Sequence, residues 1–503
     1  MYPLRTASLI LFVVSVTFIG GCSDEKYPVT PESPSRNISY FLDSNALFDD
    51  PLFNYDEIDL GALGLSYPGG GCPAEIDGLH WCIAITVEHD ADEDRILYSW
   101  LNEDQNGFAY GGQPAASGVF FGGNDPEEFD FEIRAAKVAA AYLYNEQTPG
   151  NSLIEVSVVF MYRDRNPTPT RTWGIGIAQG LWYVNDFPAE PFILPTGFRI
   201  LASEVPLGNW SPDVAYNYDN GDIHVVWTKW VDDIDPDRAR LACRRYIRGD
   251  NWLPTYIVTE DNPVQQWIPR IAIGDAGLGD PRQVVAVAYT RKQTNPDSPG
   301  DPLPWHVGCA YWDAFAHDPN DLDTTEIFAL FYDVNNEAGL PQIAVTLGDC
   351  QEKYGSIVFT QYTGDGYQVM EINNIRNGFW VVNSGILPSV TCHYLRGADG
   401  LASISYYEPD EPGEWRVTYG RFDPVADPPN PQWQYMTEDG DVQMVNGSFG
   451  PIDYGDYVRI HTFQGSEIVA TNIGVWDQAY WVAWCDYIDS AATTVYAALG
   501  DTQ

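Results

Sequence analysis

Lysine is scarce in this chain. The 503 residues carry 26 Lys and Arg together against 71 Asp and Glu, which gives a formal net charge of -45 and a pI near 4.1. Since this charge repels phosphate groups, we predict that the chain has no nucleic-acid partner. The acidity fits a saline habitat, Ca²⁺ binding or an ordinary soluble surface. The lysines are Lys26, Lys137, Lys229, Lys292 and Lys353.

The common motifs of metal and nucleophilic catalysis are also absent. The seven histidines are scattered, and no H-x-H, H-E-x-x-H or C-x-x-C sequence occurs, which argues against a zinc site or a thioredoxin-like centre. No G-x-S-x-G, P-loop or dinucleotide-binding glycine motif stands where a strand would lead into a helix. We therefore assign no catalytic residue.

Long apolar runs are missing except for a short one near the N-terminus. Arg5 precedes the apolar segment Leu9 to Ile19, which is too short to span a bilayer. It ends in Ile19-Gly20-Gly21-Cys22, which resembles the lipobox of bacterial lipoproteins. The resemblance implies a signal peptide over residues 1–21, a lipid on Cys22 and an outer-membrane location; an ordinary secretory signal is the alternative. Residues 22–36 are rich in Pro and charge and are expected to form a flexible tether.

The cysteines follow no known disulfide framework, although Cys72 and Cys82 are close enough in sequence to close a small loop. There are eight, and seven remain if Cys22 carries lipid. Four cysteines lie within predicted strands, where a cysteine usually acts as a small buried hydrophobe: Cys243, Cys309, Cys392 and Cys485.

A hydrophobic hairpin recurs about seven times. In one copy the strand Ile223–Trp230 runs into an acidic turn and returns as Arg238–Tyr246. A strand precedes each hairpin and another follows it, so the repeat has the four antiparallel strands of a β-propeller blade. We predict an all-β chain with a single propeller over residues 37–503. Seven blades are expected, with six or eight as alternatives because Tyr457–Phe463 has the pattern of an extra strand. The other hairpins start near Trp81, Val156, Val284, Ile357, Ala402 and Tyr480.

Four of the first strands carry an X-Pro pair, as in Ser211-Pro212 and Ile268-Pro269. We interpret the proline as the first residue of its strand, where no ladder donor is lost. The residue after it is then expected at the mouth of a central channel, where convergent polar groups bind a ligand and two arginines hold a carboxylate. The alternative is that these groups bond to each other or to channel water. The predicted ligand-binding residues are Asp213, Arg270, Gln342 and Ser389, with Arg134 by a weaker alignment.

The two ends of the repeat region suggest how the propeller closes. The last repeat lacks a fourth strand, and the segment Asn37–Leu42 has the pattern to supply it. Closure of this kind removes an exposed sheet edge. The alternative is that the first and last blades are incomplete.

An acidic hairpin turn is the candidate metal site. Asp90, Asp92 and Asp94 form a D-x-D-x-D sequence, and clustered carboxylates suit Ca²⁺. The spacing is not that of an EF-hand, and a solvated surface turn is the alternative.

The runs Ser211–Tyr216, Gly221–Trp227 and Ala239–Tyr246 resemble the sialidase-like (BNR-type) propeller repeats of secreted bacterial proteins. The resemblance covers most of the chain after about residue 75. It departs from the family in the Asp-box turn, S-x-D-x-G-x-T-W, of which Arg248–Trp252 is at best a remnant.

The resemblance implies a fold rather than an activity. The three substrate-binding arginines, the Tyr–Glu pair and the acid/base Asp of true sialidases cannot be placed in this sequence. We expect a non-catalytic binding or scaffold protein of the cell envelope, with a glycan or protein ligand and contact with the membrane through its lipid only. The alternatives are a sialidase-superfamily glycoside hydrolase or lyase acting on extracellular polysaccharide, and a structural component of a surface assembly.

Overall fold

The computed structural model describes much of the chain between residues 58 and 502. All described residues belong to one unit, Ser39–Gln503. Among them, no helix has the length and hydropathy needed to cross a membrane. The described ranges are 58–62, 67–76, 79–89, 94–102, 116–122, 131–143, 152–165, 173–187, 191, 198–203, 208–217, 220–230, 239–258, 265–274, 283–292, 305–315, 325–331, 337–345, 355–363, 366–373, 378–392, 402–409, 414–422, 432–435, 442–443, 467–472, 478–485 and 493–502.

The described strands, numbered in chain order, form seven antiparallel sheets. Sheet 1 contains β2 (Tyr67–Ile76), β3 (Leu79–His89), β4 (Asp94–Asn102) and β5 (Ala116–Phe121). Sheet 2 contains β6 (Phe131–Leu143), β7 (Leu153–Asp164), β8 (Gly174–Tyr183) and β9 (Arg199–Ala202), with a 3₁₀ turn at Val184–Asp186. Sheet 3 contains β10 (Asn209–Tyr216), β11 (Ile223–Trp230), β12 (Ala239–Tyr246) and β13 (Tyr256–Val258). Sheet 4 contains β14 (Gln265–Gly274), β15 (Val284–Lys292), β16 (His306–Asp313) and β17 (Thr325–Phe331).

The remaining three sheets have the same plan. Sheet 5 contains β18 (Glu337–Val345), β19 (Gly355–Tyr362), β20 (Tyr367–Asn373) and β21 (Gly378–Ser384). Sheet 6 contains β22 (Ile386–Cys392), β23 (Ala402–Pro409), β24 (Glu414–Phe422) and β25 (Gln432–Tyr435), and β26 (Val442–Gln443) also pairs with β24. Sheet 7 contains β27 (Glu467–Asn472), β28 (Gln478–Cys485), β29 (Thr493–Thr502) and, as its outer strand, β1 (Ile58–Ala62).

The predicted hairpins are confirmed, because each is the second and third strand of one sheet. The first strands of successive sheets contact one another in a closed cycle, from β2 through β6, β10, β14, β18 and β22 to β27 and back to β2. Antiparallel four-stranded sheets arranged in this way form a β-propeller, in which the first strands surround the central axis. The extra strand predicted at Tyr457–Phe463 lies outside the described residues.

The fourth strand of sheet 7 comes from the N-terminal side of the chain, as predicted, but from a different segment. It is β1, which pairs antiparallel with β29 through Ile58 opposite Val495 and Ala62 opposite Thr493. The segment expected to do this, residues 37–42, lies outside the described residues.

The second strands are deeply buried where the structure describes their side chains, as their apolar sequence predicts. In β15, Val285, Val287 and Tyr289 have no exposed surface, and in β11 the same is true of Val225 and Trp227. These strands are covered on both faces because neighbouring sheets pack face to face, so both sets of alternate side chains are largely apolar.

The expectation that each proline opens its strand is wrong. Each proline lies inside its strand rather than at its start, since β10 begins three residues before Pro212 and β14 begins four residues before Pro269. The ladder register is irregular there, between Trp210 and Asp213 and between Trp267 and Arg270. Proline is accepted in mid-strand because these two residues form a bulge that needs no ladder donor.

The residue before three of the four bulge prolines has a left-handed backbone. The φ angles are 57° for Ser211, 55° for Ile268 and 51° for Leu387, and Ala135 has 47° at the corresponding place in β6. This conformation is unfavourable for residues with a side chain, most of all for a β-branched isoleucine. It persists because the surrounding sheet fixes it.

Three of these residues donate a hydrogen bond from their backbone amide to a buried side chain of the preceding sheet. Thr228 Oγ1 accepts from the Ile268 amide at 3.1 Å, and Thr360 Oγ1 accepts from the Leu387 amide at 3.0 Å. Both threonines are fully buried or nearly so. The Ser211 amide donates instead to the Met161 sulfur at 3.4 Å. The bulges therefore connect adjacent sheets.

Candidate functional site: the axial ring

The bulges bring five polar residues to one level of the first strands. Each stands two places after the left-handed residue or its counterpart, opposite a residue of the neighbouring second strand. Bulges change the direction in which the following side chain points, and they are common near functional sites. We call these five residues the axial ring. The pairs are Lys137 with Val159, Asp213 with Val226, Arg270 with Ala288, Gln342 with Val358, and Ser389 with Ser405.

Four of the predicted ligand-binding residues thus occupy equivalent positions, but at a different depth from that expected. Arg270 is the sixth of the ten residues of β14, so it lies halfway along the strand rather than at a mouth of the channel. The difference follows from the position of the proline, which was expected to open the strand.

Arg134 does not belong to the axial ring. It precedes the bulge of β6, opposite Met161, and Lys137 takes the equivalent position after the bulge. The Arg134 guanidinium is 2.6 Å from Glu132 and lies 5.5 Å from the centroid of the Trp173 ring. The predicted pair of arginines around one carboxylate is therefore not formed by Arg134 and Arg270.

Lys137, Asp213 and Arg270 interact along three consecutive first strands. Asp213 Oδ2 accepts from the Ile271 amide of β14 at 2.9 Å, and Oδ1 accepts from the Val214 amide at 2.9 Å. Burial raises the pKa of the Asp213 carboxyl above its ordinary value, although Arg270, Lys137 and the two amides each lower it. One carboxylate is thus held between two cations in a poorly solvated place.

The axial ring is mostly but not completely buried. Arg270 is 2% exposed, Ser389 2% and Lys137 6%, whereas Asp213 and Gln342 keep intermediate exposure. The set offers guanidinium, ammonium, amide and hydroxyl donors together with one carboxylate whose oxygens already accept backbone donors. This arrangement is suited to a ligand that accepts hydrogen bonds.

The acidic turn proposed for Ca²⁺ is described only in part. Asp90 and Asp92 lie outside the described residues. Asp94 begins β4 and is buried, its Oδ2 accepts from the Ile133 amide at 2.6 Å, and its Oδ1 pairs with Arg165. Among the described residues, no group of three His, Cys, Asp or Glu has the arrangement of a metal site.

Four tryptophans form a continuous row at the end of sheets 2 to 4 that is nearer the bulges. The ring centroids are 6.5 Å apart for Trp173 and Trp210, 6.3 Å for Trp210 and Trp230, and 6.3 Å for Trp230 and Trp267. Trp173 and Trp267 are buried. The row therefore fills the spaces between neighbouring sheets.

The opposite end of sheets 2 and 3 carries a buried polar network. The Tyr216 hydroxyl is 2.7 Å from Ser157 Oγ, and burial together with the charge of Glu155 holds the pKa of Tyr216 well above its ordinary value. Glu155 pairs with Arg248, whose amide donates to Asp222 Oδ1 at 2.9 Å. These contacts connect the two sheets.

Arg248 belongs to the segment compared above with an Asp-box. Residues 247–251 form a turn in which the Ile247 amide donates to the Asn251 carbonyl at 3.2 Å and Gly249 has a φ of 80°. A bridge between Tyr246 and Trp252 closes this turn, which leads from the third to the fourth strand of sheet 3.

Two elements of the site were missed in the sequence, although each left a signal. Lys137 follows Ala135-Ala136, and aligning this pair with the X-Pro pairs would have selected it. The two threonines of the sheet contacts each follow an aromatic residue, in Trp227-Thr228 and Phe359-Thr360. This recurring pair was a visible sign of a shared structural role.

Neither a family model nor a curated protein sequence matches the chain. Solved structures that resemble it include the Hadza microbial sialidase Hz136, at 13% identity over 81% of this chain and 73% of that one, with a TM-score of 0.39. A protein of unknown function from Dyadobacter fermentans matches at 10% identity over 74% and 94%, with a TM-score of 0.40. A Trypanosoma rangeli sialidase in complex with sialic acid matches at 7% identity over 73% and 54%, with a TM-score of 0.36. TM-scores this low support no functional argument, and the chain is similar to sialidase-like β-propellers in fold alone.

Proposed function

We propose that the chain is a seven-bladed β-propeller that binds a ligand at its axis without catalysing a reaction. Sheets 1 to 7 are the blades, and β1 is the clasp that completes the last one. The closed cycle of contacts among the first strands supports this count.

The binding role rests on one observation, the convergence of the axial ring. Five polar side chains share one level of five neighbouring first strands, and two of them keep partial exposure. Polar groups that converge in a concave site are typical of ligand recognition. A glycan offers the many hydroxyl and carbonyl acceptors that such donors bind, and a side chain of a protein ligand is the other candidate.

The proposal places the propeller at the cell envelope. Signal-peptide cleavage after residue 21 leaves lipid on Cys22, residues 22–36 act as the tether, and the outer membrane is the destination. Labelling with radioactive palmitate in a bacterial host tests this: the wild-type chain should incorporate label and a Cys22→Ser variant should not. Label in both chains, or in neither, would contradict the anchor.

A glycan array probed with the full chain in detergent tests the binding role, with and without Ca²⁺. Each hit is then incubated with the chain and examined for cleavage. Binding that is retained without turnover and weakened at least tenfold by Gln342→Ala supports the proposal. Cleavage of a bound glycan identifies a hydrolase or lyase instead. Hits that depend on Ca²⁺ and are indifferent to Gln342→Ala place the site at the acidic turn rather than at the axis.

A further inference from the structure

The axial ring contains several hydrogen-bond donors and one titratable acid, Asp213, whose strand lies between those of Lys137 and Arg270. We propose that the ligand of the ring is anionic and that its binding is accompanied by uptake of a proton on Asp213. This inference rests on the proposed function, because it concerns the same site.

The donors of the ring favour an anion over a neutral ligand. Arg270 presents a guanidinium from β14 and Lys137 an ammonium from β6, and the neutral members Gln342 and Ser389 add further donors at the same level. Hydrogen bonds between charged donors and anionic oxygens are about twice as strong as those between neutral groups. Burial of both cations strengthens the interaction further, since solvent screens them little.

Asp213 is the group at this level whose charge state the ligand can change. The charged groups that face it are Lys137 from β6 and Arg270 from β14. The other strands packed against β10 present apolar residues at this register, namely Val226 of β11, Val159 of β7 and Ile177 of β8. The balance between the two cations and desolvation therefore decides whether Asp213 is ionised.

An arriving anion shifts this balance towards the neutral acid. It offsets the positive field of Lys137 and Arg270, which favours ionised Asp213, and it adds a like charge nearby, which disfavours it. Asp213 then binds a proton more tightly in the complex than in the free chain. By linkage, affinity for the anion is highest at low pH and falls as pH rises from the free-chain pKa of Asp213 to its pKa in the complex. The fall cannot exceed about tenfold per pH unit for one proton.

Calorimetric titration of the full chain in detergent tests the inference. D-glucuronate is the probe, D-glucose is its neutral match, and inorganic phosphate separates recognition of a sugar acid from recognition of any anion. Each titration is run at several pH values in two buffers that differ in ionisation enthalpy. We expect D-glucuronate to bind at least tenfold more tightly than D-glucose, with up to one proton taken up and affinity rising as pH falls.

The variants separate the two parts of the inference. Arg270→Gln should weaken binding of D-glucuronate at least tenfold, and Arg270→Lys should restore part of it. The matched control is Arg416→Gln, which removes an arginine from the third strand of sheet 6, where it pairs with Glu408, and should leave affinity unchanged. Asp213→Asn, which has no carboxylate to protonate, should abolish both the proton uptake and the pH dependence of the binding it retains.

Opposite results would overturn the inference in distinguishable ways. Equal affinity for D-glucose and D-glucuronate would show that the site does not prefer an anion. Equal heats in the two buffers for the wild-type chain would show that no proton is taken up on binding. The buffer comparison needs no variant, so it decides even if Asp213→Asn does not fold. A neutral glycan that binds and is lost in Gln342→Ala would leave the proposed function standing while the inference fails. Absence of binding to any probe or array glycan would reject both.

Discussion

Replacing Thr228 by valine should destabilise the propeller at the contact between sheets 3 and 4. Valine has nearly the shape of threonine, so packing in this fully buried position changes little. What is lost is the acceptor of the Ile268 amide, which lies 3.1 Å from Thr228 Oγ1. A buried donor left without its acceptor costs about 1–3 kcal/mol. We expect this loss in urea unfolding of the full chain.

Hydrogen exchange at the amide of Ile268 makes this prediction specific. Thr228→Ser keeps the hydroxyl and loses one methyl group, which costs about 1 kcal/mol of packing but should leave the exchange of this amide unchanged. Thr228→Val should accelerate it. The pair of Thr360 and Leu387 offers an independent repetition, with a 3.0 Å hydrogen bond. If the valine and serine variants exchange this amide at the same rate, the hydroxyl is not what holds the bulge.

Acid should destabilise the fold through two buried histidines, since burial lowers the pKa of His224 to about 3 and that of His306 to about 4. Both histidines protonate near pH 6.5 in the unfolded chain but only at lower pH in the folded chain, so the free energy of unfolding falls as the pH is lowered below 6.5, by about 2 kcal/mol per histidine at pH 5. His224→Gln should flatten the pH dependence of the urea midpoint, and an unchanged slope would contradict this prediction. Arg248→Ala should lower the free energy of unfolding by about 1–3 kcal/mol, because it leaves the buried Glu155 carboxylate without its partner, and by clearly less in a Glu155→Gln background. A double-mutant cycle measures the difference, and additive losses would exclude coupling between Arg248 and Glu155. Burial raises the pKa of Cys309 to about 12, so iodoacetamide should label it only after denaturation, and rapid labelling of the native chain would refute its burial.

The repeated hairpins could be predicted because their signal is local. Runs such as Val284–Tyr289 in β15 are apolar on both faces and are bounded by turn residues, so the sequence of one hairpin is enough to recognise it. Cys243 and Cys309 were likewise expected to be small buried residues, and both are buried and form no disulfide. Four members of the axial ring were found for the same reason, since the X-Pro pair beside each is a local mark.

The errors concern properties that depend on a distant partner. Whether proline opens a strand or sits in a bulge depends on the register with the second strand, which the first strand alone does not reveal. The same uncertainty caused Arg134 to be chosen in place of Lys137, because two alanines replace the X-Pro pair there. The clasp β1 is only five residues long, and its strand character comes from pairing with β29 rather than from its own pattern.

The pairing of β1 with β29 also sets the order in which the protein can be built. Residues 58–62 leave the ribosome early, whereas their partners at 493–502 are among the last described residues to be made. Sheet 7 therefore cannot be completed until all of the other described sheets have been synthesised, and its closure joins the most distant strand partners among the described residues. Contacts of such large sequence separation form slowly, because the chain entropy must be lost first. During that interval the edge of β29 is open to strands of other chains, so the final closing step is where we expect misassembly to compete with folding.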